Sequence, residues 1–198
     1  MFDNIRADIG RNTYYTRSRG LGVVKMILLR EGIWALIQHR AHHWVYYHCR
    51  VPVVRQILQL ICMVWEKLIM MTTGIEIPAA AHLGKGLYIG HPGGVVFHEN
   101  TVIGEYCDIG HQVTIGQGGR GENMGVPVIG NRVHIGVGAK VIGKITVGDD
   151  SAIGANAVVV KDVPEQAVVV GVPAKIVNMK GSFDFIAYKG KPDQSPRG

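Results

Sequence analysis

The chain has 198 residues, 27 of them glycine, and a formal charge of +6 with histidine neutral. That length suits one main core and a smaller appendage. The glycines lack the every-third spacing of collagen, the positive charges form no dense basic tract, and Cys49, Cys62 and Cys107 lack metal-ligand spacing; collagen, nucleic-acid-binding and cysteine-metal classes are set aside.

Residues 1–20 are polar and basic, with Arg6, Arg11, Arg17 and Arg19 around Tyr14, Tyr15 and Thr16, and read as a surface arm. Met1-Phe-Asp-Asn-Ile-Arg has neither the basic segment nor the apolar stretch of a signal peptide. From Leu21 to His48 the spacing of Val24, Ile27, Leu28, Ile33, Leu36 and Ile37 predicts helix, divided near Gly32. His39, His42, His43 and His48 have helical spacing suited to zinc, but no Asp, Glu or Cys shares their turn and Arg40 lies between them. They are expected to face solvent or a partner subunit. A further helix starts at Pro52 and runs to Met71, apolar on more than one face but interrupted by Arg55, Gln56, Gln59, Glu66 and Lys67. Its longest clean apolar run is far below the ~20 residues of a membrane span. Two placements stay open: wrapped on both sides by the other helix and the following domain, or partly in a membrane interface beside Trp65. Gly74 reads as its C-cap.

From Ile77 to about Ile176 an aliphatic residue recurs every sixth position, usually followed by Gly. Ile103, Ile109 and Ile115 form one run, and Ile129, Ile135, Val141, Val147, Ile153 and Val159 another. A period of six fits neither helix nor ordinary strand; it fits a parallel β-helix of three short strands per coil. The glycines are expected to supply tight corners. About eighteen residues per coil give roughly five coils. The count slips at His91-Pro-Gly-Gly and at Gly116–Val128, where loops that carry function are expected. The tail from Lys180 is expected to be mobile beyond residue 188.

His91 stands at the first slip, off the repeat position, and an imidazole is the natural general base for a hydroxyl at neutral pH. Glu76 lies fifteen residues earlier, close to one coil, and a carboxylate there could hold one ring nitrogen and leave the other free. Cys107 falls at a repeat position and reads as core, and no Ser or Cys sits in a nucleophile motif, so transfer is expected to be direct.

The hexapeptide run, Gly90-His-Pro-Gly-Gly, Gly116-Gln-Gly-Gly-Arg-Gly and Gly171-Val-Pro-Ala-Lys-Ile-Val resemble the serine acetyltransferase family of left-handed β-helix acyltransferases. The resemblance implies an all-β left-handed parallel β-helix with an N-terminal α-helical region. The corresponding division is 1–73 helical, 74–178 β-helix and 179–198 tail. It implies acetyl-CoA as donor and no metal. It makes His91 the match of the catalytic histidine and Glu76 that of its orienting carboxylate, with an aspartate expected there. Gly118, Gly119, Val137, Gly138, Ala139, Lys140, Ala155 and Lys175 become the cofactor contacts. Gly118 or Gly119 would offer an amide to the thioester oxygen, and Lys140 and Lys175 would meet phosphates. Asp8, Gly90, Pro92, Gly93 and Val126 become the acceptor contacts. It further implies a homotrimer with the cofactor between subunits, in the cytoplasm.

Two departures shape the expected acceptor. Gly90 stands where the family has Asp, and Gly125-Val126-Pro127 where it has Arg-His-Pro. A serine carboxylate without a charged donor is costly to desolvate. The expectation is therefore a sugar or polysaccharide hydroxyl, lipid-linked at the inner membrane face, with peripheral membrane contact. Serine is the alternative. A γ-carbonic anhydrase, which would need a third histidine where Gly116 stands, and a non-catalytic scaffold are the disfavoured classes.

Overall fold

The structure, a computed structural model, describes residues 1–17 and 19–188. The expectation for the tail beyond 188 lies outside the described residues.

Four helices come first: α1 (Phe2–Thr16), α2 (Leu21–Leu29), α3 (Glu31–His48) and α4 (Pro52–Thr73). The break between α2 and α3 falls at Arg30, whose backbone is extended. Gly32 lies inside α3 and serves packing instead: a Cβ there would stand 2.3 Å from the Ile89 carbonyl oxygen. The predicted surface arm is corrected to a helix with Asp8, Arg11 and Asn12 buried. Gly74 does cap α4, with φ 67 and its N–H donating to Met70. Only Cys62, Ile69 and Thr73 of α4 are buried, so it is not wrapped on both sides. Among the described residues no helix is long and apolar enough to cross a membrane.

The rest is a left-handed parallel β-helix. One sheet stacks β1 (Ile75–Glu76), β4 (Val95–Phe97), β7 (Thr114–Gly116), β10 (Lys140–Ile142) and β13 (Val158–Val159). The second stacks β2 (His82–Leu83), β5 (Val102–Ile103), β8 (Val128–Ile129) and β11 (Thr146–Val147). The third stacks β3 (Tyr88–Ile89), β6 (Asp108–Ile109), β9 (His134–Ile135), β12 (Ala152–Ile153) and β14 (Val168–Val170), closed by antiparallel β15 (Lys175–Asn178). The chain visits the sheets in that order, one strand per side. Each side buries two residues, the repeat aliphatic and the residue two before it, as strand alternation requires: Val113 with Ile115, and Val133 with Ile135. Each such aliphatic side chain contributes about 1.5–3 kcal/mol.

The glycines work differently from expectation. Gly104 and Gly136, which follow the repeat aliphatics, do not have positive φ; left-handed corner positions include Tyr106, Gln112, Arg132, Asp150, Asn156 and Gln166, together with other glycines such as Gly86 and Gly138. The glycines are required because coils stack tightly. A Cβ on Gly136 would stand 2.7 Å from the Ala155 nitrogen, and one on Gly104 would stand 2.5 Å from the Gly130 oxygen.

Buried ion pairs fix the helices to the first coils. Arg40 of α3 meets Asp8 of α1 at 3.1 Å and donates to the Leu83 and Gly84 carbonyls. Asp8 also accepts from the Leu87 N–H at 3.0 Å. Arg11 pairs with Asp108 and donates to the Gly86 and Cys107 carbonyls. Tyr15 donates to Asp108 at 2.8 Å, and burial, with that carboxylate second, pushes its hydroxyl up to about 12. Two histidines of α3 are corrected as well: His39 and His42 are buried, and His42 meets Glu66 at 2.8 Å, whereas His48 is exposed as expected.

Candidate active site

One edge of the prism, where the third sheet hands over to the first, carries the chemistry-bearing residues in a column. Its corners are residues 90–94, 110–113, 136–139 and 154–157. Each corner hydrogen-bonds to the next. Gln112 N–H donates to the Gly93 carbonyl at 2.8 Å, Gly138 to His111 at 2.9 Å, and Asn156 to Val137 at 2.7 Å. His91, His111, Val137 and Ala155 therefore follow one another, one per coil.

His91 is exposed at the foot of this column. His111 stands on the next coil, its ring edge-on to that of His91 with centroids 6.0 Å apart. Its Nδ1 is buried without a hydrogen-bond partner. His111 follows Gly110, twenty positions after His91, and the stacking of corners is what brings the two together. Gly90 is flanked by the Tyr88 ring, which a Cβ would approach to 3.3 Å. The Gly90 carbonyl accepts from Arg30 at 3.3 Å. Arg30 carried no signal in the sequence, because it is a helix-linker residue sixty positions away.

Glu76 lies on the coil beneath. The turn after His91 rests on the segment before Glu76: Gly93 N–H donates to Thr73 at 2.7 Å and Val95 N–H to Gly74 at 3.1 Å. Glu76 pairs in register with Val96 and lines a groove of about 480 Å³ under α4 with Glu66, Lys67 and Met70. It makes no hydrogen bond or ion pair to His91.

Along the column, Val137 and Ala155 are exposed and Gly138 turns with φ 74. Lys140 is half-buried on the adjoining sheet, its ammonium bonded to the Gln112 carbonyl. Lys175 is exposed on β15. Ala139 is corrected: its side chain points into the core at 0% exposure.

The glycine-rich loop leaves from a different edge, between the first and second sheets. Gly118 and Gly125 exchange hydrogen bonds at 3.0 Å, closing a small hairpin with a 3-10 turn at Gly121–Asn123. The Gly118 amide is thus already used, which corrects its expected role toward a thioester. Gly119, beside it with φ 92, and Val126 share that edge and do not meet His91 within one chain. Asp8 is corrected too. At 2% exposure, with its carboxylate held by Arg40 and the Leu87 amide, it has no free face for an acceptor. Burial nevertheless raises its pKa, against the opposing pull of Arg40.

Among the described residues no cluster of three or more His, Cys, Asp or Glu is placed to hold a metal. The Cys107 thiol is buried and pushed up to about 12 by that burial, which suits a core residue.

No protein-family model matches the chain. A serine acetyltransferase of Synechococcus elongatus is 35% identical over 198 residues, all of this chain and 78% of that protein. The serine acetyltransferase of Helicobacter pylori strain J99 is 42% identical over 153 residues, 77% of this chain and 85% of that protein. The solved structure of serine acetyltransferase in complex with coenzyme A from Brucella abortus strain S19 matches with a TM-score of 0.76 at 32% identity. It covers 90% of this chain and 68% of that one. These relatives overturn the expectation of a sugar or polysaccharide acceptor. The lipid-linked acceptor and the membrane contact drawn with it are withdrawn, as is the homotrimer that the resemblance implied. The chain belongs to the serine acetyltransferase family of hexapeptide-repeat acyltransferases and is an acetyl-CoA-dependent O-acetyltransferase.

Proposed function

We propose that the chain is a serine O-acetyltransferase, with His91 as the general base that takes the proton from the serine hydroxyl. The observation that carries this reading is the edge column itself. His91 ends a ladder of small or backbone-presenting positions, Val137 and Ala155 among them, which an extended pantetheine arm would follow. Lys140 and Lys175 are the cations proposed for the nucleotide end.

Acetyl-CoA supplies the acetyl group as a thioester when bound. His91 abstracts the hydroxyl proton as the serine oxygen attacks the thioester carbonyl; the C–S bond then breaks and the imidazolium returns the proton to the departing sulfur, leaving O-acetylserine and the free thiol. Glu76, on the coil beneath, is proposed to bias the imidazole toward the tautomer whose free nitrogen faces the acceptor. Three free cysteines suit the reducing cytoplasm, the compartment proposed here.

The test is thiol release from acetyl-CoA by the purified chain, with the product identified by mass spectrometry. L-serine should give O-acetylserine. His91→Ala should lower kcat by about 10²–10⁴-fold and leave the KM for acetyl-CoA unchanged. Full turnover by His91→Ala would end the base assignment; no turnover of serine by the unaltered chain would end the acceptor assignment.

A further inference from the structure

We propose that Arg30 binds the carboxylate of the amino-acid acceptor. This rests on the reading of serine as that acceptor. Free serine is a zwitterion, and its carboxylate must exchange water for a charged donor on entering a site. Gly125 and Val126, the loop positions from which such a donor was expected, carry no charge and stand on another edge of the prism. At the His91 corner the guanidinium in contact is that of Arg30.

Its placement is built in. Arg30 interrupts the helices with φ −111 and ψ 100, so its side chain leaves the helical layer at the junction of α2 and α3. That junction has little slack. Trp34 Nε1 donates to the Ile27 carbonyl at 2.7 Å and ties α3 back to α2. Gly32 brings α3 so close to Ile89 that no Cβ would fit between them. The Arg40–Asp8 pair and its carbonyl contacts hold the same helix lower down. Arg30 is thus carried on a fixed support against the residue that precedes His91.

The guanidinium keeps capacity for a ligand. It has five N–H donors in a planar fork that matches a carboxylate. One of them makes the 3.3 Å bond to Gly90, and among the described residues Arg30 forms no ion pair. The scale also fits. In serine two carbons separate the hydroxyl from the carboxylate, and consecutive residues stand ~3.8 Å apart. The cation meets the carbonyl of residue 90 and the base is residue 91, so the two groups serve adjacent positions.

The experiment compares the unaltered chain, Arg30→Met and Arg30→Lys in steady-state assays with acetyl-CoA. The acceptors are L-serine and ethanolamine, the same amino alcohol without a carboxylate. Arg30→Met should raise the KM for serine about 10- to 100-fold, with the KM for acetyl-CoA and the rate with ethanolamine unchanged. Arg30→Lys, which keeps the charge and loses the fork, should fall between. An unchanged KM for serine in Arg30→Met overturns the proposal. So does an equal loss with serine and ethanolamine, which would mark a purely structural role. If Arg30→Met fails to fold, Arg30→Lys decides: a KM for serine equal to that of the unaltered chain overturns the proposal. Absence of serine turnover in the unaltered chain would instead remove the acceptor reading on which this one stands.

Discussion

Asp8 of α1 and Arg40 of α3 meet at 3.1 Å in a buried ion pair, and the pair is anchored to the β-helix through the Leu87 amide and the Leu83 and Gly84 carbonyls. Two helices and a coil corner thus share one electrostatic joint. Removing one partner leaves the other charged and buried, which typically costs about 3–5 kcal/mol. Asp8→Asn should lower stability by that order in urea unfolding. Combining it with Arg40→Met should cost less than the sum of the single changes. Additive losses would show that the joint is not coupled.

Glu76 gives a separate prediction because it stands in register with Val96 and makes no direct bond to His91. If it sets the imidazole tautomer, Glu76→Gln should lower kcat about 10- to 100-fold and alter the pH–rate profile, with the fold intact. A loss that appears only in thermal stability would make Glu76 part of the α4 groove alone, with Glu66 and Lys67.

The two roles of glycine can be separated by substitution. Gly10 lies in α1 with open space where a Cβ would go, so Gly10→Ala should stabilise by about 0.5–1 kcal/mol. Gly136→Ala would push a methyl onto the Ala155 nitrogen, and overpacking of that kind costs about 1–3 kcal/mol. Opposite shifts in thermal midpoint are expected. A neutral Gly136→Ala would show that the coils can part without cost.

Much of the β-helix was legible because its signal is periodic. One inward aliphatic per side repeats through Ile103, Ile109 and Ile115, and only a three-sided coil buries all of them. The two count slips marked the corners that depart from it. The helical layer was harder to read. Asp8, Arg11 and Arg40 look like surface charges until their partners arrive from distant parts of the chain, Asp108 and the Gly84 carbonyl among them. Segment 179–188 was likewise read as tail, yet Ile186 is buried and Tyr188 stacks on Tyr106. The acceptor was misjudged for a related reason. Counting charges lost at Gly90 and Gly125 left out a guanidinium supplied from the helix junction, which no local pattern announces.

His39 links the helical layer to pH. It is fully buried in α3, with the Ile77 backbone as the polar group that opposes its shift. Burial first, and then the Arg40 charge, hold its pKa well below 6.5; His43, near Ala79 and His82, shifts the same way. In the unfolded chain each would take up a proton near pH 6.5. Below that pH the unfolded state therefore binds more protons than the folded one. Stability is fully present above about pH 6.5 and is lost as pH falls through it, by up to about 1.4 kcal/mol per pH unit for His39 and by less for the part-exposed, solvent-screened His43. Urea midpoints measured from pH 7.5 to 5.5 should fall for the unaltered chain. His39→Phe fills the site without a titrating group and should flatten part of that slope. An identical slope in the variant would assign the acid sensitivity to other groups.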